Sequence, residues 1–438
     1  MSSEQGTLSV YHSSLASIVG EENLIYGSVL CPTVGIGENK QLKGAISPGN
    51  LPGCLVYPQT QEQLAEVIAE AYRNKWRVLP CGNGSKLKWG GLAKGIDIVV
   101  STQRLNKIIN HAVGDLTLTA ESGVKLADIR ANLAENNQII ALNPTAPEKA
   151  TIGGIIATGD TGSLRQRYGS VRDQLLGITF VRADGKIARA GGRVVKNVAG
   201  YDLMKLFTGS YGTLGIITEA TFRLYPMQSA SGTAMLTGSQ DAIFQAAETL
   251  RGSALTPTQA DLLSSQLVSH MGLGKGLGLI VRFESIPESV KEQLNQVLQV
   301  GEKLGLTSVV YSDTEEKDLW LLLPEQIHLP DSESAITCKI GVLPNAAVEV
   351  LNQADVGLIH MTSGLGILRF EDEKKVLEMR NLCEQKSGFL TILSANVEVK
   401  QKLDVWGYGG NALELMKGIK KQFDAENILS PGRFVGGI

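Results

Sequence analysis

The residues best suited to bind a ligand are three glycines, Gly209, Gly212 and Gly215, each three positions apart. They lead directly into a β-branched run that begins at Ile216 and continues as an apolar, partly alternating segment to Pro226. Glycine admits positive φ and lets a ligand approach bare backbone, and the following run predicts a buried strand. This spacing predicts a tight loop that holds a large planar cofactor against main chain. A glycine-rich hairpin that serves only topology is the alternative.

A second glycine-rich loop, Gly82 to Lys86, follows a predicted strand. Its successive amides could form a concavity for an anion, with Ser85 as a hydroxyl donor and Lys86 as a counter-charge. A diphosphate fits that description, and an ordinary β-turn is the alternative. The loop is not a Walker A loop, because the chain contains no GxxxxGK[ST] sequence.

The third segment, residues 143–162, contains the adjacent pair Gly153 and Gly154. Thr151 can cap a short helical turn whose N-terminal amides favour an anion or a carbonyl-rich ring. The glycine pair removes side chains where a ligand packs tightly, or where two elements simply cross closely. Three such loops in one half of the chain favour a cofactor site over three unrelated turns.

Composition excludes several functional classes. The 438 residues predict at least two domains, and 43% hydrophobic with 19% charged residues is typical of globular proteins. A net charge of −3 and 5% aromatic residues give no indication of nucleic-acid binding. A nicotinamide-binding Rossmann domain is disfavoured, because GxGxxG is absent and the glycines from Gly272 to Gly278 have the wrong spacing.

Cysteine usage and hydropathy bear on the compartment. The five cysteines are odd in number, widely separated and without a CxxC pair, which predicts a reducing compartment and no Fe–S cluster or zinc site on this chain. No apolar run reaches the length of about 18 residues that spans a bilayer, and the N-terminus has no secretory pattern. We expect a cytoplasmic protein without a transmembrane segment, peripheral at a membrane only through partners.

The elements that position the loops follow from hydrophobic periodicity. A β-α-β order over residues 54–80 precedes the loop at Gly82, and the helix has a capping box that begins at Thr60. After Pro226 short strands alternate with amphipathic helices, which predicts an α+β domain with a mostly antiparallel sheet. The predicted strands are Cys54–Tyr57, Arg77–Pro80, Ile96–Val100, Leu116–Ala120, Ile139–Leu142, Leu277–Phe283, Ala335–Ile340 and Ile367–Phe370, and the predicted later helices are Lys125–Asn136, Pro287–Leu304, Glu371–Lys386 and Ala412–Phe423.

Together these residues resemble the FAD-binding domain of the PCMH-type, vanillyl-alcohol-oxidase-like flavoproteins. The three loops occur in that family's order and spacing, and the tail Ser430-Pro431-Gly432-Arg433 is similar to its Asn-Pro-Gly-Arg signature, with Ser in place of Asn. The string from Lys196 to Leu203 is most similar to that of the glycolate oxidase subunits. The resemblance implies an α+β fold class, with a two-subdomain PCMH-type FAD-binding domain and an α+β cap domain. The implied boundaries are 1–50 for an N-terminal extension, 51–228 for the FAD-binding domain, 229–404 for the cap and 405–438 for a segment that returns to the FAD domain.

The resemblance also implies which residues bind FAD. It puts the diphosphate on the loop at Gly82, the isoalloxazine beside the segment that contains Gly153, and the adenosine near Gly212. Because no histidine lies in the diphosphate loop, non-covalent FAD is implied. Lys196, Tyr201 and Lys205 could line the ring edge or form a solvated helix start. The cofactor-binding residues implied are Gly82, Asn83, Gly84, Ser85, Lys86, Pro144, Thr145, Thr151, Ile152, Gly153, Gly154, Thr158, Gly159, Gly162, Gly212, Gly215 and Ile217.

One departure from the family limits the mechanism. Catalytic 2-hydroxy-acid members carry an HxGDGNxH-like metal motif, whereas the corresponding segment from His360 to Gly366 has one histidine and no carboxylate. Metal sites need several converging ligands, so we predict no metal site and interpret His360 as a structural residue at a strand end. No catalytic residue is predicted.

The resemblance therefore implies an FAD-binding subunit of a glycolate oxidase (glycolate dehydrogenase) complex that oxidises glycolate, a small 2-hydroxy acid, to glyoxylate. Its implied partners are a paralogous FAD-containing catalytic subunit, which holds the metal motif, and an Fe–S subunit. Two alternatives remain open: a self-sufficient FAD oxidoreductase for another small hydroxy acid or alcohol, and a non-catalytic structural subunit that retains the flavin fold.

Overall fold

The computed structural model describes residues 13–26, 39–49, 51–193, 200–328 and 334–438. The chain forms two compact units. The first comprises Met1–Asp160, Ser170–Pro226 and Tyr408–Ile438, and the second comprises Thr161–Gly169 and Met227–Gly407. Residues 196–199, which belong to the string that resembles the glycolate oxidase subunits, lie outside the described residues.

The first unit contains a four-stranded sheet, a five-stranded antiparallel sheet and a two-stranded pair. The order of the four-stranded sheet is β1-β2-β4-β3, with β2, β4 and β3 parallel. The order of the five-stranded sheet is β5-β6-β10-β8-β9, and β11 pairs with β7. The strands are β1 (Leu24–Tyr26), β2 (Cys54–Val56), β3 (Val78–Cys81), β4 (Ile98–Ser101), β5 (Ile108–Ala112), β6 (Thr117–Glu121), β7 (Gln138–Ile139), β8 (Leu175–Val181), β9 (Ile187–Gly191), β10 (Ile216–Arg223) and β11 (Tyr225–Pro226).

The helices of this unit pack against these sheets. They are α1 (13–19), α2 (Asn39–Lys43), α3 (Gln61–Asn74), α4 (Leu126–Ala134), α5 (Ile152–Thr158), α7 (Val171–Gln174), α8 (Leu203–Phe207) and α16 (Leu413–Phe423). Helix α3 begins as the sequence predicts, because the Thr60 side chain accepts a hydrogen bond from the Gln63 amide at 3.1 Å. Its apolar stripe, from Leu64 to Ala71, is buried against the four-stranded sheet.

The second unit is built on one eight-stranded antiparallel sheet in the order β15-β12-β14-β13-β17-β18-β16-β19, which confirms the predicted α+β domain. Its strands are β12 (Ala230–Gly238), β13 (Gln259–Leu263), β14 (Leu277–Ser285), β15 (Thr307–Tyr311), β16 (Ile336–Gly341), β17 (Val356–His360), β18 (Leu365–Phe370) and β19 (Phe389–Ser394). Its helices are α6 (Arg165–Tyr168), α9 (Gln240–Arg251), α10 (Ser265–His270), α11 (Pro287–Lys303), α12 (Asp313–His328), α13 (Ala347–Asn352), α14 (Glu373–Gln385) and α15 (Val397–Lys402). Successive residues of β12 point to opposite faces of the sheet, and the consecutive pair Met235 and Leu236 belong to separate apolar clusters. The sheet is therefore covered on both faces.

Two predicted strands are wrong in part. The strand predicted over Ile139–Leu142 is paired only at its first residue, because the chain leaves the ladder and buries Ile140 and Leu142 in the core. The run predicted as one strand from Ile216 to Pro226 is interrupted at Leu224, where β10 ends and the short β11 turns to pair with β7. A hydrophobic run in the sequence indicates that its residues are buried, but it does not show whether they pair with another strand.

No helix in the described part of the chain combines the length and the apolar character that a membrane crossing requires.

The four cysteines of the described residues, Cys54, Cys81, Cys338 and Cys383, are free thiols. Burial raises the pKa of each of them to about 12. Only the thiolate is nucleophilic, so these thiols are almost fully protonated and inert at pH 8. We expect a colorimetric thiol reagent to titrate at most one cysteine of the native protein, and all five after unfolding. Rapid native reaction of two or more thiols would contradict this expectation.

The same raised pKa values predict how stability depends on alkaline pH. The pKa of a cysteine thiol in the unfolded chain is roughly 8.5. A thiol with a higher pKa in the folded state stabilises the fold fully at pH values below about 8.5, and this stabilisation is lost as the pH rises toward the folded-state pKa. We therefore expect the free energy of unfolding to fall between about pH 9 and pH 12. Urea unfolding at stepped pH measures this change, and replacement of Cys54 with alanine should flatten it.

Candidate functional site

The three glycine segments wall one cavity in the first unit. The lining residues are Pro80, Cys81, Gly82, Asn83, Gly84, Ser85, Lys86, Leu87, Thr102, Thr151, Gly153, Gly154, Ala157, Thr158, Ser210, Tyr211, Gly212, Gly215, Ile216, Ile217 and Arg433.

Most of the predicted cofactor-binding residues line this cavity: Gly82, Asn83, Gly84, Ser85, Lys86, Thr151, Gly153, Gly154, Thr158, Gly212, Gly215 and Ile217. The lining does not include Pro144, Thr145, Ile152, Gly159 or Gly162. Ile152 is buried in the apolar core, and Gly159 ends α5 in the left-handed conformation. Gly162 belongs to the second unit.

The first wall is the loop that follows β3, and its main chain is arranged to receive an anion. Within the described part of the chain, no amide from Gly82 to Lys86 donates a hydrogen bond to a protein acceptor. Gly84 has a φ of 75°, a conformation that side chains rarely adopt. The Asn83 side chain is anchored outside the loop, since its Nδ2 donates to the Lys149 carbonyl at 3.1 Å. Orphaned backbone donors are costly unless a ligand or water accepts from them, so this loop fits a diphosphate.

Lys86 lines the same wall, but a carboxylate already compensates its charge. Its Nζ lies 3.2 Å from Asp160 Oδ2 and donates to the Thr145 carbonyl at 3.1 Å. Asp160 Oδ2 also accepts from the Thr145 amide at 2.8 Å. Both side chains of the ion pair are buried. Lys86 thus joins the first loop to the second segment, and the carboxylate of Asp160 neutralises its charge.

The second wall is α5, which is capped and closely packed. Thr151 Oγ1 accepts from the Gly154 amide at 3.4 Å, and Thr158 Oγ1 donates to the Gly154 carbonyl at 2.7 Å. The Gly153 amide donates to the Ser122 carbonyl at 2.8 Å. A Cβ on Gly153 would lie 2.8 Å from Ser122 Cβ, so only glycine permits this approach of α5 to the strand end. The pair of glycines therefore serves packing as well as access to the cavity.

The third wall is the loop before β10, held to α5 by main-chain hydrogen bonds. The Gly209 amide donates to the Ile156 carbonyl at 2.9 Å, and the Tyr211 amide donates to the Ala157 carbonyl at 2.8 Å. Gly212 has a φ of 73°, and a Cβ there would lie 2.7 Å from Pro80 Cγ. Tyr211 itself has a φ of 54°, and burial raises the pKa of its hydroxyl above the ordinary range.

Residue-level prediction missed several lining residues, and Arg433 is the most consequential of them. The C-terminal segment pairs with β3, because the Val78 amide donates to the Ile428 carbonyl and the Ser430 amide donates to the Val78 carbonyl. This pairing brings the tail signature to the cavity. Burial lowers the pKa of Arg433 to about 10, so it remains a cation at neutral pH. The similarity of the tail to the family signature was the signal in the sequence that could have found it.

Other candidates from the sequence lie elsewhere. Lys205 Nζ pairs with Asp202 at 2.8 Å on the surface, Tyr201 is 90% exposed, and neither lines the cavity. His360 ends β17 in the second unit, and its Nδ1 lies 2.6 Å from Asp261 Oδ1. No group of three or more His, Cys, Asp or Glu side chains able to hold a metal ion occurs among the residues that the structure describes.

The cavity suits FAD on three observations of this chain. The orphaned amides of the first loop would bind the diphosphate. The backbone of Gly153, Gly154 and Gly212 lines the cavity, so a planar ring could lie against main chain. Apolar groups such as Ile217 and Leu87 supply part of the lining.

Comparison with known proteins agrees with this fit. Residues 52–191 match the family model described as an FAD binding domain. The chain is 26% identical over 426 residues to glycolate oxidase subunit GlcD of Bacillus subtilis (strain 168), covering 88% of this chain and 89% of that one. It is 38% identical over 171 residues to glycolate oxidase subunit GlcE of Escherichia coli (strain K12), covering 39% and 48%. A crystal structure of p-cresol methylhydroxylase with substrate bound has a similar fold, with a TM-score of 0.78, 17% identity, and coverage of 98% and 97%.

Proposed function

We propose that this chain, a PCMH-type FAD flavoprotein and an FAD-dependent oxidoreductase, oxidises a small 2-hydroxy acid. The leading reaction is the oxidation of glycolate to glyoxylate. The single observation that carries the proposal is the convergence of the three glycine segments on one cavity with a row of orphaned amides. The similarity to glycolate oxidase subunits GlcD and GlcE supports the choice of substrate class.

FAD supplies the redox chemistry when bound, and the protein supplies binding and orientation. The amides of residues 82–86 would hold the diphosphate, and the capped start of α5 with the Tyr211 loop would hold the ring and adenosine. Of the histidines that the structure describes, none lines the cavity, so we propose non-covalent FAD. Acid precipitation should release all flavin into the supernatant, and retained flavin in the pellet would contradict non-covalent binding.

We further propose that the chain works as a subunit with a paralogous flavoprotein and an Fe–S protein. The possible metal ligands of this chain support the proposal. His360 is hydrogen-bonded to a single carboxylate, and no three potential metal ligands converge in the described part of the chain. A metal-assisted deprotonation of the substrate would therefore draw its ligands from another chain. We also propose a reducing compartment, in keeping with the free thiols.

Anaerobic reduction of bound FAD tests these proposals. We expect glycolate to bleach the flavin absorbance of a complex purified with its partners, and to leave the isolated FAD-loaded chain unbleached. Bleaching of the isolated chain by glycolate or D-lactate would favour the self-sufficient oxidoreductase. Full turnover by a complex in which this chain cannot bind FAD would overturn the redox role and favour a structural subunit.

A further inference from the structure

We infer that Arg433 supplies the positive charge that faces the negatively charged part of the bound dinucleotide, in the place of Lys86. This inference goes deeper into the proposed function, because it rests on FAD occupying the cavity of the first unit, and it is independent of the identity of the substrate.

The first step is the charge balance around Arg433. The residue is 4% exposed and lines the cavity. Its Nη1 donates to two carbonyl oxygens, Gly91 O at 3.1 Å and Ala45 O at 3.4 Å. Its Nε is buried and has no acceptor, and no described carboxylate lies within ion-pair distance of the guanidinium. The Tyr211 hydroxyl, which is neutral at pH 7, also interacts with the guanidinium. A buried cation surrounded by these neutral groups is costly unless a ligand provides the anion.

The second step is the contrast with the other cation of the cavity. Lys86 and Arg433 are the two cationic residues among those that line it. Lys86 has its own buried carboxylate, Asp160, at 3.2 Å. The sequence favours Lys86 as the counter-charge because it is adjacent to the diphosphate loop, but its charge is compensated in the protein. Arg433, in contrast, has no carboxylate partner among the described residues, so a bound anion would balance its charge.

The third step is the position of the Arg433 backbone, which is fixed from both sides. Its amide donates to the Ser430 carbonyl at 3.1 Å, and its carbonyl accepts from the Gly91 amide at 3.0 Å. Upstream, Lys420 Nζ donates to the Leu429 carbonyl at 2.8 Å. A guanidinium held in this way is preorganised, so little conformational entropy is lost when it binds an anion.

FAD offers two sources of negative charge: its diphosphate, which is permanently anionic, and its isoalloxazine ring, which gains negative charge on reduction. Two readouts separate them. The dissociation constants of FAD and of riboflavin, which lacks the diphosphate, report on the first source. The midpoint potential of the bound flavin reports on the second.

The experiment compares Arg433→Met, Arg433→Lys and the control Arg189→Met, an exposed arginine of the same unit. We expect Arg433→Met to weaken FAD binding by about 10- to 100-fold, as the loss of hydrogen bonds to a charged group does, and Arg433→Lys to recover much of the loss. If the charge faces the diphosphate, riboflavin affinity and potential stay unchanged. If it faces the ring, affinity for both flavins falls and the potential of bound FAD becomes more negative.

Thermal unfolding keeps the test independent of folding defects and of substrate. Because Arg433 lacks a carboxylate partner, we expect apo Arg433→Met to melt at or above the wild-type temperature, with a smaller rise on addition of FAD. A lower apo melting temperature together with an unchanged FAD dissociation constant would show a structural role and overturn the inference. An effect no larger than that of Arg189→Met on every readout would overturn it too. Because no hydroxy acid is added, a failure of the proposed substrate leaves these outcomes unaffected.

Discussion

Replacement of Lys420 with methionine is expected to lower the free energy of unfolding by about 3–5 kcal/mol, since it leaves a buried carboxylate without its cation. Lys420 Nζ lies 2.6 Å from Asp424 Oδ2, and both side chains are buried. The same Nζ donates to the carbonyls of Thr213 and Leu429, at 2.9 and 2.8 Å. One ammonium therefore ties α16 to the third cavity wall and to the segment that carries the tail signature.

Asp424 completes this arrangement, because it accepts from the amides of Ile428 and Leu429 at 3.0 and 2.8 Å. Urea unfolding of the single variants Lys420→Met and Asp424→Asn and of the double variant measures their coupling. We expect the double variant to be more stable than Lys420→Met, since asparagine removes the uncompensated charge and still accepts one hydrogen bond.

The matched control lies on the same helix. Lys417 Nζ pairs with Glu414 at 2.9 Å, but both side chains are largely exposed. Lys417→Met should cost no more than about 1 kcal/mol, as exposed ion pairs usually do. A Lys420→Met protein as stable as the Lys417→Met protein would show that the buried pair does not hold the C-terminal segment in place.

Replacement of Gly153 with valine is expected to weaken FAD binding by about 10- to 100-fold, because overpacking costs about 1–3 kcal/mol and each 1.4 kcal/mol is tenfold. The new Cβ would lie 2.8 Å from Ser122 Cβ and 3.1 Å from the Ser122 carbonyl. Relief of this overlap moves α5, which forms the second cavity wall. Quenching of FAD fluorescence on titration with apo protein measures the change.

Gly114→Val is the control for Gly153→Val. Gly114 is exposed in a short turn of the same unit, and a Cβ there has no neighbour within 4 Å. Its variant should bind FAD as the wild-type protein does, and Gly153→Ala should lie between the two. Wild-type affinity in Gly153→Val, with α5 intact by hydrogen exchange, would show that this wall does not contact the cofactor.

Much of the local structure was predictable because it depends on neighbouring residues. The Thr60 cap and the stripe from Leu64 to Ala71 specify α3 within one stretch of sequence. The Thr151 cap likewise starts α5. The glycines at 84 and 212 stand where the backbone has positive φ, a conformation that few other residues adopt at low cost. The direction in which each side chain of a short helix points was harder to predict from the sequence. Ile152 packs in the core, although the next residue, Gly153, lines the cavity.

Consecutive residues were enough to predict the three glycine segments that line the cavity, most of the helices and strands, and the antiparallel sheet of the second unit. The balance of charges was visible only in the folded chain: Asp160 neutralises Lys86, and the tail brings Arg433 to the carbonyls of Ala45 and of Gly91, which is 342 residues away in sequence. The two kinds of feature differ in the range of the interactions that set them. Backbone conformation and periodicity are set by consecutive residues, whereas the free energy of a buried charge depends on which distant groups the folded chain brings to it.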